Sequence, residues 1–229
     1  MEPPREDLSR ERGSPRDARR LLAERGGLYL ILTGPRIPHR DLAIAAAELR
    51  VPVVQLREKE MDDDELVDTA AGLVEITRDT ETLLLVNDRP DVALRAGADG
   101  VHVGREDMPQ AVARKLLGEH SVVGVTGNTV EEAHAARAGG ADYLGAGPVF
   151  PTETKPDAKS PIGPEGLREV VGSVPGFPVV AIGGITADSV GRVMETGARY
   201  AAVVSAICRA RDPVAALEAM TREIGKVTG

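Results

Sequence analysis

Eight short apolar runs, separated by amphipathic stretches, recur along the chain from Leu28 onward. Each run is four to six residues long, and its apolar residues follow one another without alternating with polar ones. Strands that are buried on both faces have this pattern, as in a parallel sheet covered by helices. The predicted strands are Leu28–Leu32, Val51–Leu56, Leu83–Val86, Gly100–Val103, Val122–Val125, Tyr143–Ala146, Val179–Ile182 and Ala201–Ser205.

Stretches with helical spacing lie between these runs. Leu66, Ala70, Leu73 and Thr77 recur at intervals of three or four residues, which is typical of a helix with one buried face. Eight strand–helix units predict an α/β fold of the (β/α)₈ TIM-barrel type, in a single compact domain over residues 27–229. A doubly wound sheet is the alternative, but it usually has fewer strands and one concentrated phosphate loop.

Composition and charge exclude several classes of function. Lys and Arg total 28 against 36 Asp and Glu, which gives a net charge of −8, and only 2% of the 229 residues are aromatic. Such a chain offers neither a basic surface nor stacking platforms, so we expect no nucleic-acid partner. No run approaches the roughly 18 apolar residues of a membrane span. Composition does not distinguish a monomer from a homo-oligomer.

The single cysteine, Cys208, excludes an intramolecular disulfide and a CxxC site. It fits a reducing compartment, so we expect a cytoplasmic protein. We interpret Cys208 itself as a small packing residue.

Residues 1–26 differ from the rest of the chain. Charged side chains of both signs dominate there, and prolines stand at positions 3, 4 and 15. Such a segment buries little apolar surface, so we expect a mostly disordered extension with a short helix over Ala18–Arg25. A nucleic-acid arm or a targeting peptide is the less favoured interpretation, because acidic residues nearly match basic ones.

In a barrel of this kind, functional residues lie at the carboxyl ends of the strands and in the loops that follow them. Polar and charged residues follow the predicted strands at these positions. They are Gln55, Arg57 and Lys59 after the second strand, Asn87 and Asp88 after the third, Asp107 after the fourth, Thr126 after the fifth, Thr152–Lys155 after the sixth, Gly183 and Gly184 after the seventh, and Ser205 in the eighth.

The charged residues in this set predict an anion site with a metal ion. Arg57 and Lys59 beside a buried strand suit anion binding, although a solvated surface pair is the simpler alternative. Asp88 and Asp107 are interpreted as ligands of a Mg²⁺ ion that also binds waters and substrate phosphate. Both aspartates precede predicted helices, so helix capping is the alternative.

A second phosphate site is predicted at the seventh and eighth strands. Gly183 and Gly184 before a helix, with Ser205 nearby, match the place where many barrels bind phosphate through backbone N–H groups. The polar, proline-containing loop over residues 152–164 is predicted to be a mobile lid that closes over an anion, and a plain surface loop is the alternative.

The remaining polar residues offer no nucleophile. The four histidines are scattered and are interpreted as surface or packing residues, with His102 the one that stands on a strand. Because no nucleophile–base pair can be assembled, we expect chemistry by positioning and by stabilisation of a leaving diphosphate.

Six motifs on six strands together resemble the thiamine-phosphate synthase family. They are Gln55-x-Arg57-x-Lys59, Asn87-Asp88-Arg89, Gly100-Val-His-Val-Gly with Asp107-Met-Pro109, Gly147-Pro-Val-Phe-Pro-Thr-Glu-Thr-Lys155, Ala181-Ile-Gly-Gly-Ile185 and Val203-Val-Ser-Ala-Ile207. The resemblance runs from about Leu28 to the C-terminus and implies the same small barrel. It also implies a transferase that joins a hydroxymethylpyrimidine diphosphate to a thiazole phosphate, or to its carboxylated tautomer, and releases diphosphate.

The resemblance assigns roles by motif. It implies Mg²⁺ ligation by Asp88 and Asp107, and a dissociative mechanism in which Arg57, Lys59 and Lys155 are catalytic. The implied pyrimidine-diphosphate residues are Gln55, Leu56, Arg57, Glu58, Lys59, Asn87, Thr126 and Lys155. The implied thiazole-phosphate residues are Thr152, Glu153, Thr154, Gly184, Val204 and Ser205.

The chain departs from the family pattern at two places. Thr126-Gly-Asn128 replaces the usual Ser-x-His, so the hydroxyl is kept but a titratable group is lost, and Arg105 replaces the usual Gln. Three other functions are alternatives: a related thiazole tautomerase, a non-catalytic phosphate binder, and a barrel isomerase of amino-acid biosynthesis. The retained metal and diphosphate residues argue against the tautomerase, and the intact charged residues at the expected places argue against the non-catalytic binder. The Thr-x-Thr-Lys and Asn-Asp-Arg motifs argue against the isomerase.

Overall fold

Eight parallel strands close into a barrel in chain order, with β8 pairing back to β1. The computed structural model describes residues 17–105, 107–152, 154 and 160–228. The predicted (β/α)₈ TIM-barrel fold is confirmed. The strands are β1 (Gly27–Leu32), β2 (Val53–Leu56), β3 (Leu83–Asn87), β4 (Gly100–Val103), β5 (Val122–Thr126), β6 (Tyr143–Ala146), β7 (Val179–Ile182) and β8 (Tyr200–Val203).

Helices cover the outside of this barrel and join consecutive strands. Their ends follow sequence signals: Pro90 opens α4, Gly97 closes it in the left-handed conformation, and Thr129 with Glu132 forms a capping box at α6. The helices are α1 (Ala18–Glu24), α2 (His39–Glu48), α3 (Asp63–Thr77), α4 (Pro90–Ala96), α5 (Gln110–Leu117), α6 (Val130–Ala138), α7 (Gly163–Ser173), α8 (Ala187–Met194), α9 (Ser205–Cys208) and α10 (Pro213–Thr228).

The strands separate two apolar layers, which explains why they contain uninterrupted apolar runs. In β1, Leu28, Leu30 and Leu32 pack in the outer layer between strands and helices. Tyr29 and Ile31 alternate with them and pack inside the barrel. Every residue of this strand is buried, so no position of the strand faces solvent.

Glycines in two strands make room for large side chains inside the barrel. A Cβ atom at Gly124 would overlap the ring of Tyr143, and one at Gly145 would lie 3.0 Å from Cε1 of His102. Strand glycines of this kind mark a close approach of another group. The interior therefore depends on pairing small residues in one strand with large residues in another.

The short helix predicted over Ala18–Arg25 is present as α1 (Ala18–Glu24). It packs on the barrel, so residues 17–26 belong to the folded domain, and the disordered extension predicted over 1–26 is corrected for these residues. Asp17 caps α1, and Ala18 and Leu22 are buried in the interior cluster. The hydroxyl of Tyr200 donates to the Leu22 carbonyl at 2.7 Å. Helix α1 thus packs at the amino-terminal end of the barrel, and residues 1–16 lie outside the described residues.

The end of the eighth strand also differs from the prediction. Strand β8 ends at Val203, and Ser205 begins the short helix α9 instead of completing the strand. In the described part of the chain, no helix combines the length and the apolar character that crossing a bilayer requires.

Truncation of Leu22 tests whether α1 is part of the domain. Leu22 is 1% exposed, so Leu22→Ala should lower the free energy of unfolding by about 2–5 kcal/mol through the cavity that it leaves. Leu94→Ala is the control, because Leu94 is 52% exposed on α4. Urea titration followed by circular dichroism measures both, and equal stability of the two variants would contradict the packing of α1.

Candidate active site

A cavity of about 430 Å³, lined by both polar and apolar residues, opens at the carboxyl ends of the strands. All eight strands or the loops that follow them contribute to its walls, as the barrel fold predicts. The structure brings together twelve of the predicted site residues in this lining. They are Gln55, Arg57, Lys59, Asn87, Asp88, Asp107, Thr126, Thr152, Thr154, Gly184, Val204 and Ser205.

Two predicted binding residues have side chains that do not line the cavity. Leu56 is fully buried in the outer apolar layer, because it alternates with the inward-facing Gln55. Glu58 accepts hydrogen bonds from Gly34 N and pairs with His39 Nε2, each at 2.6 Å. Its carboxylate therefore ties the loop after β1 to the loop after β2.

Two further predictions cannot be compared with the structure. Glu153 and Lys155 lie outside the described residues. Six of the thirteen residues of the predicted lid over 152–164 lie there too.

Asp88 is held in an unusual backbone conformation at the rim of the cavity. Its φ of 60° is left-handed, which few residues other than glycine adopt, and its N–H donates to the His102 carbonyl at 2.7 Å. Its Oδ2 accepts from Asn87 Nδ2 at 2.6 Å and lies 4.0 Å from Lys59 Nζ. This geometry aims the carboxylate at the cavity instead of at helix α4.

The carboxyl groups of Asp88 and Asp107 meet at this rim. Burial, followed by the hydrogen bond and the negative charge of Asp107, raises the pKa of Asp88 to about 6. Neither side chain caps the helix that follows, since α4 and α5 have no side-chain cap. The capping interpretation is therefore wrong for both, and the pair is a carboxylate site that a cation would stabilise.

A chain of six hydrogen bonds crosses the barrel interior, and we call it the interior chain. Its bonds measure 3.0, 2.9, 2.8, 2.6, 2.7 and 2.6 Å in order. It connects strands that are far apart in sequence, from the wall at β5 to the carboxylate rim. Its members are Thr126, His102, Tyr143, Tyr29, Gln55, Asn87 and Asp88.

Sequence reasoning missed three members of the interior chain. The sequence predicts Tyr29 and Tyr143 only as residues of apolar strands and His102 as a packing residue, although all three line the cavity. The absence of Trp and the scarcity of aromatic residues predict recognition through hydrogen bonds and aliphatic walls, and two of the three tyrosines also line the cavity. The glycines at 124 and 145 were the available signal, because each marks a space that a large side chain fills.

Glycines shape the opposite rim, where β7 turns into α8. Gly183 and Gly184 have φ values of 100° and 65°, which side-chain-bearing residues rarely adopt. A Cβ atom on Gly184 would lie 2.5 Å from the Pro151 carbonyl oxygen. The turn therefore packs directly on the loop after β6, with Thr152, Val204 and Ser205 in the same lining.

The two departures from the family pattern are joined through Glu132. Arg105 Nη2 contacts Glu132 Oε2 at 2.6 Å, and the same oxygen accepts from Asn128 N at 2.6 Å. Asn128 Oδ1 accepts from Gly147 N at 3.1 Å. Asn128 thus fastens the loop after β5 to the loop after β6, and it is an anchoring residue here.

A parallel barrel with a charged cavity at the carboxyl ends of its strands defines the class of (β/α)₈-barrel enzymes. The sequence profile described as "Thiamine monophosphate synthase" matches residues 28–207. The chain therefore belongs to the thiamine monophosphate synthase family, and the resemblance inferred from the six motifs is confirmed.

The names of individual relatives agree with this family assignment. A thiamine-phosphate synthase from Moorella thermoacetica is 44% identical over 206 residues, which cover 87% of this chain and 98% of that protein. A "Thiamine biosynthesis bifunctional protein ThiM/ThiE" from Symbiobacterium thermophilum is 44% identical over 91% of this chain, which spans 43% of that protein's length.

A solved structure agrees as well. The thiamine phosphate pyrophosphorylase from Pyrococcus furiosus is 40% identical and has a TM-score of 0.81. The match covers 92% of this chain and 99% of that one.

The role found for Glu58 predicts a loss of stability on truncation. Glu58→Ala removes the contacts to Gly34 N and to His39, so it should lower the free energy of unfolding by about 1–3 kcal/mol. Glu60→Ala, an exposed position in the same loop, should change it little. Thermal unfolding of the two variants measures the difference, and equal midpoints would contradict the loop-tying role.

Proposed function

We propose that this thiamine-phosphate synthase joins 4-amino-2-methyl-5-hydroxymethylpyrimidine diphosphate to 4-methyl-5-(2-hydroxyethyl)thiazole phosphate, or to its carboxylated tautomer. The products are thiamine phosphate and diphosphate, together with CO₂ when the carboxylated tautomer is the substrate. The observation that carries the proposal is the presence of two anion-handling regions on opposite arcs of one cavity. Cations and carboxylates follow β2–β4, and a glycine turn with a serine follows β7 and β8.

The diphosphate is assigned to the arc at β2–β4. Arg57 and Lys59 line the cavity there, and Lys155 joins them in the proposal on the basis of its motif. Guanidinium and ammonium groups hold phosphate oxygens through charge-assisted hydrogen bonds. Gln55, Asn87 and Thr126 line the adjoining wall and offer hydrogen bonds to the pyrimidine.

Asp88 and Asp107 would hold Mg²⁺ at the same arc. Two carboxylates fit this ion, which takes one or two of them and completes its shell with waters and substrate phosphate. Among the described residues, no group of three or more histidines, cysteines or acidic residues could hold a metal. When bound, the ion would neutralise charge on the departing diphosphate.

In the proposed reaction, the bond between the pyrimidine methylene carbon and the diphosphate oxygen breaks, and its electron pair leaves with the diphosphate. The thiazole nitrogen then donates its lone pair to the methylene carbon and forms the new C–N bond. Arg57 and Lys59 stabilise the leaving group, while the glycine turn and Ser205 hold the thiazole phosphate close enough for capture. No protein nucleophile takes part.

Asp88→Asn tests the proposed metal-assisted departure. With both substrates and Mg²⁺, the wild type should release diphosphate, and the variant should lose about 100-fold or more of that rate because a charged ligand is removed. Asp91→Asn is the matched control, since Asp91 lies in the same segment and pairs with Arg89 instead. A coupled diphosphate assay measures all three proteins.

Two outcomes of this assay would overturn the proposal. Diphosphate release that persists in EDTA would overturn the metal assignment. Isomerisation of the thiazole phosphate without its coupling to the pyrimidine would favour a tautomerase.

Gly184→Ala tests the second phosphate site. The left-handed conformation costs a residue with a side chain about 1–2 kcal/mol, and the added methyl group would press on Pro151. The KM for the thiazole phosphate should rise about tenfold, while that for the pyrimidine diphosphate stays nearly constant. Gly172→Ala is the control, because its Cβ would meet open space. Equal KM changes for both substrates would count against the assignment.

A further inference from the structure

The hydrogen bonds of the interior chain run in one direction. Asn87 donates its Nδ2 protons to Asp88, so its carbonyl oxygen faces Gln55 and accepts from Gln55 Nε2. The remaining Gln55 oxygen then accepts from the hydroxyl of Tyr29. Because an amide has its donor and its acceptor at opposite positions, the acceptor at Asp88 fixes the orientation of both amides.

The direction continues through the two tyrosines. A phenol has one proton, and that of Tyr29 goes to Gln55. The 2.8 Å contact between the two hydroxyls therefore uses the proton of Tyr143. Because the Tyr143 hydroxyl proton is donated to Tyr29, the 2.9 Å contact between this hydroxyl and His102 Nδ1 requires Nδ1–H as the donor.

The far end of the interior chain is Thr126. In a neutral imidazole with the proton on Nδ1, Nε2 accepts, so the Thr126 hydroxyl donates to it across 3.0 Å. The lone pairs of Thr126 Oγ1 are then what this residue offers to a ligand in the cavity. An acceptor at this place suits the exocyclic amino group of an aminopyrimidine, which is a hydrogen-bond donor.

We propose that Tyr143 and Tyr29 are positioning residues that fix the Thr126 hydroxyl as an acceptor toward the pyrimidine, by transmitting the hydrogen-bond direction set at Asp88. This inference rests on the proposed function for the identity of the ligand. The direction of the hydrogen bonds rests on the protein alone. Neither tyrosine takes part in the chemical step.

The packing around the two tyrosines supports this role. Each tyrosine is 1% exposed. The Tyr143 ring stacks on His102 with ring centroids 5.5 Å apart, and the Tyr29 ring packs on Tyr143 with centroids 5.9 Å apart. Burial raises the pKa of both phenols above the ordinary value, so they keep their protons. A donor–acceptor chain with fixed protons in a fixed packing holds its direction.

Tyr143→Phe tests the proposal, because it keeps the ring and removes only the hydroxyl. It leaves His102 Nδ1–H without this acceptor and Tyr29 without this donor, so kcat/KM for the pyrimidine diphosphate should fall about tenfold or more. The KM for the thiazole phosphate should stay within about twofold of the wild type, since the glycine turn does not touch the interior chain.

Tyr200→Phe is the matched control for Tyr143→Phe. Tyr200 is also fully buried, but its hydroxyl donates to Leu22 at the other end of the barrel. Tyr200→Phe should keep kcat/KM near the wild-type value, while its thermal unfolding midpoint falls by about as much as that of Tyr143→Phe. Equal kinetic losses in the two variants, or equal losses toward both substrates, would show a merely structural role and overturn the proposal.

A double variant tests whether the tyrosines act through one chain. Tyr29→Phe interrupts the same path one step nearer to Asp88, so Tyr29→Phe/Tyr143→Phe should be within about twofold of the worse single variant. Losses that multiply would show two independent effects and overturn the transmission.

Imidazole ¹⁵N spectra test the direction without any substrate. The chain has four histidines, and a His102→Asn sample assigns the signal of His102. At pH 8 the wild type should show the neutral tautomer with the proton on Nδ1, and Tyr143→Phe should lose that preference. A proton on Nε2 in the wild type would overturn the proposal. Absence of synthase turnover with the expected spectrum would instead refute the assigned substrates and leave the direction intact.

Discussion

The closed barrel leaves an interior that side chains alone must fill, and every polar atom placed there needs a hydrogen-bond partner. Tyr29, Gln55 and Tyr143 are almost fully buried inside it, and each finds its partners among the others and their neighbours. The same requirement links the wall at β5 to the rim at β3. The residues that fill the closed barrel are therefore the same residues that organise the site.

Local charge, and not the net charge of −8, decides what the cavity can bind. Arg57 and Lys59 stand beside two facing carboxylates, so the arc at β2–β4 has both signs within a few ångströms. The arc at β7 and β8 offers a glycine turn and a hydroxyl instead. This division suits one ligand that loses a large negative charge and another that keeps its phosphate.

The fold was predictable because apolar runs bounded by turns encode strands directly. Gly100–Val103, Tyr143–Ala146 and Val179–Ile182 are confirmed to the residue. The Ser205 boundary was wrong because a short helix follows β8 without any break in apolar character. The interior chain was not predictable, since its partners come from six strands and no local pattern tells which face of an apolar strand turns inward. Helix α1 was underestimated because its few apolar residues are buried by contacts with Tyr200, far along the chain.

The overlap that a side chain at Gly124 would make with Tyr143 has a consequence for sequence divergence. A larger residue can enter at position 124 only if position 143 becomes smaller, and that exchange would remove the hydroxyl between Tyr29 and His102. A change at Gly124 thus reaches Thr126 through Tyr143 and His102, although position 124 itself does not line the cavity. Substitution of Gly124 in β5 is therefore limited by Tyr143, and the sequence at this position can change only through paired substitutions.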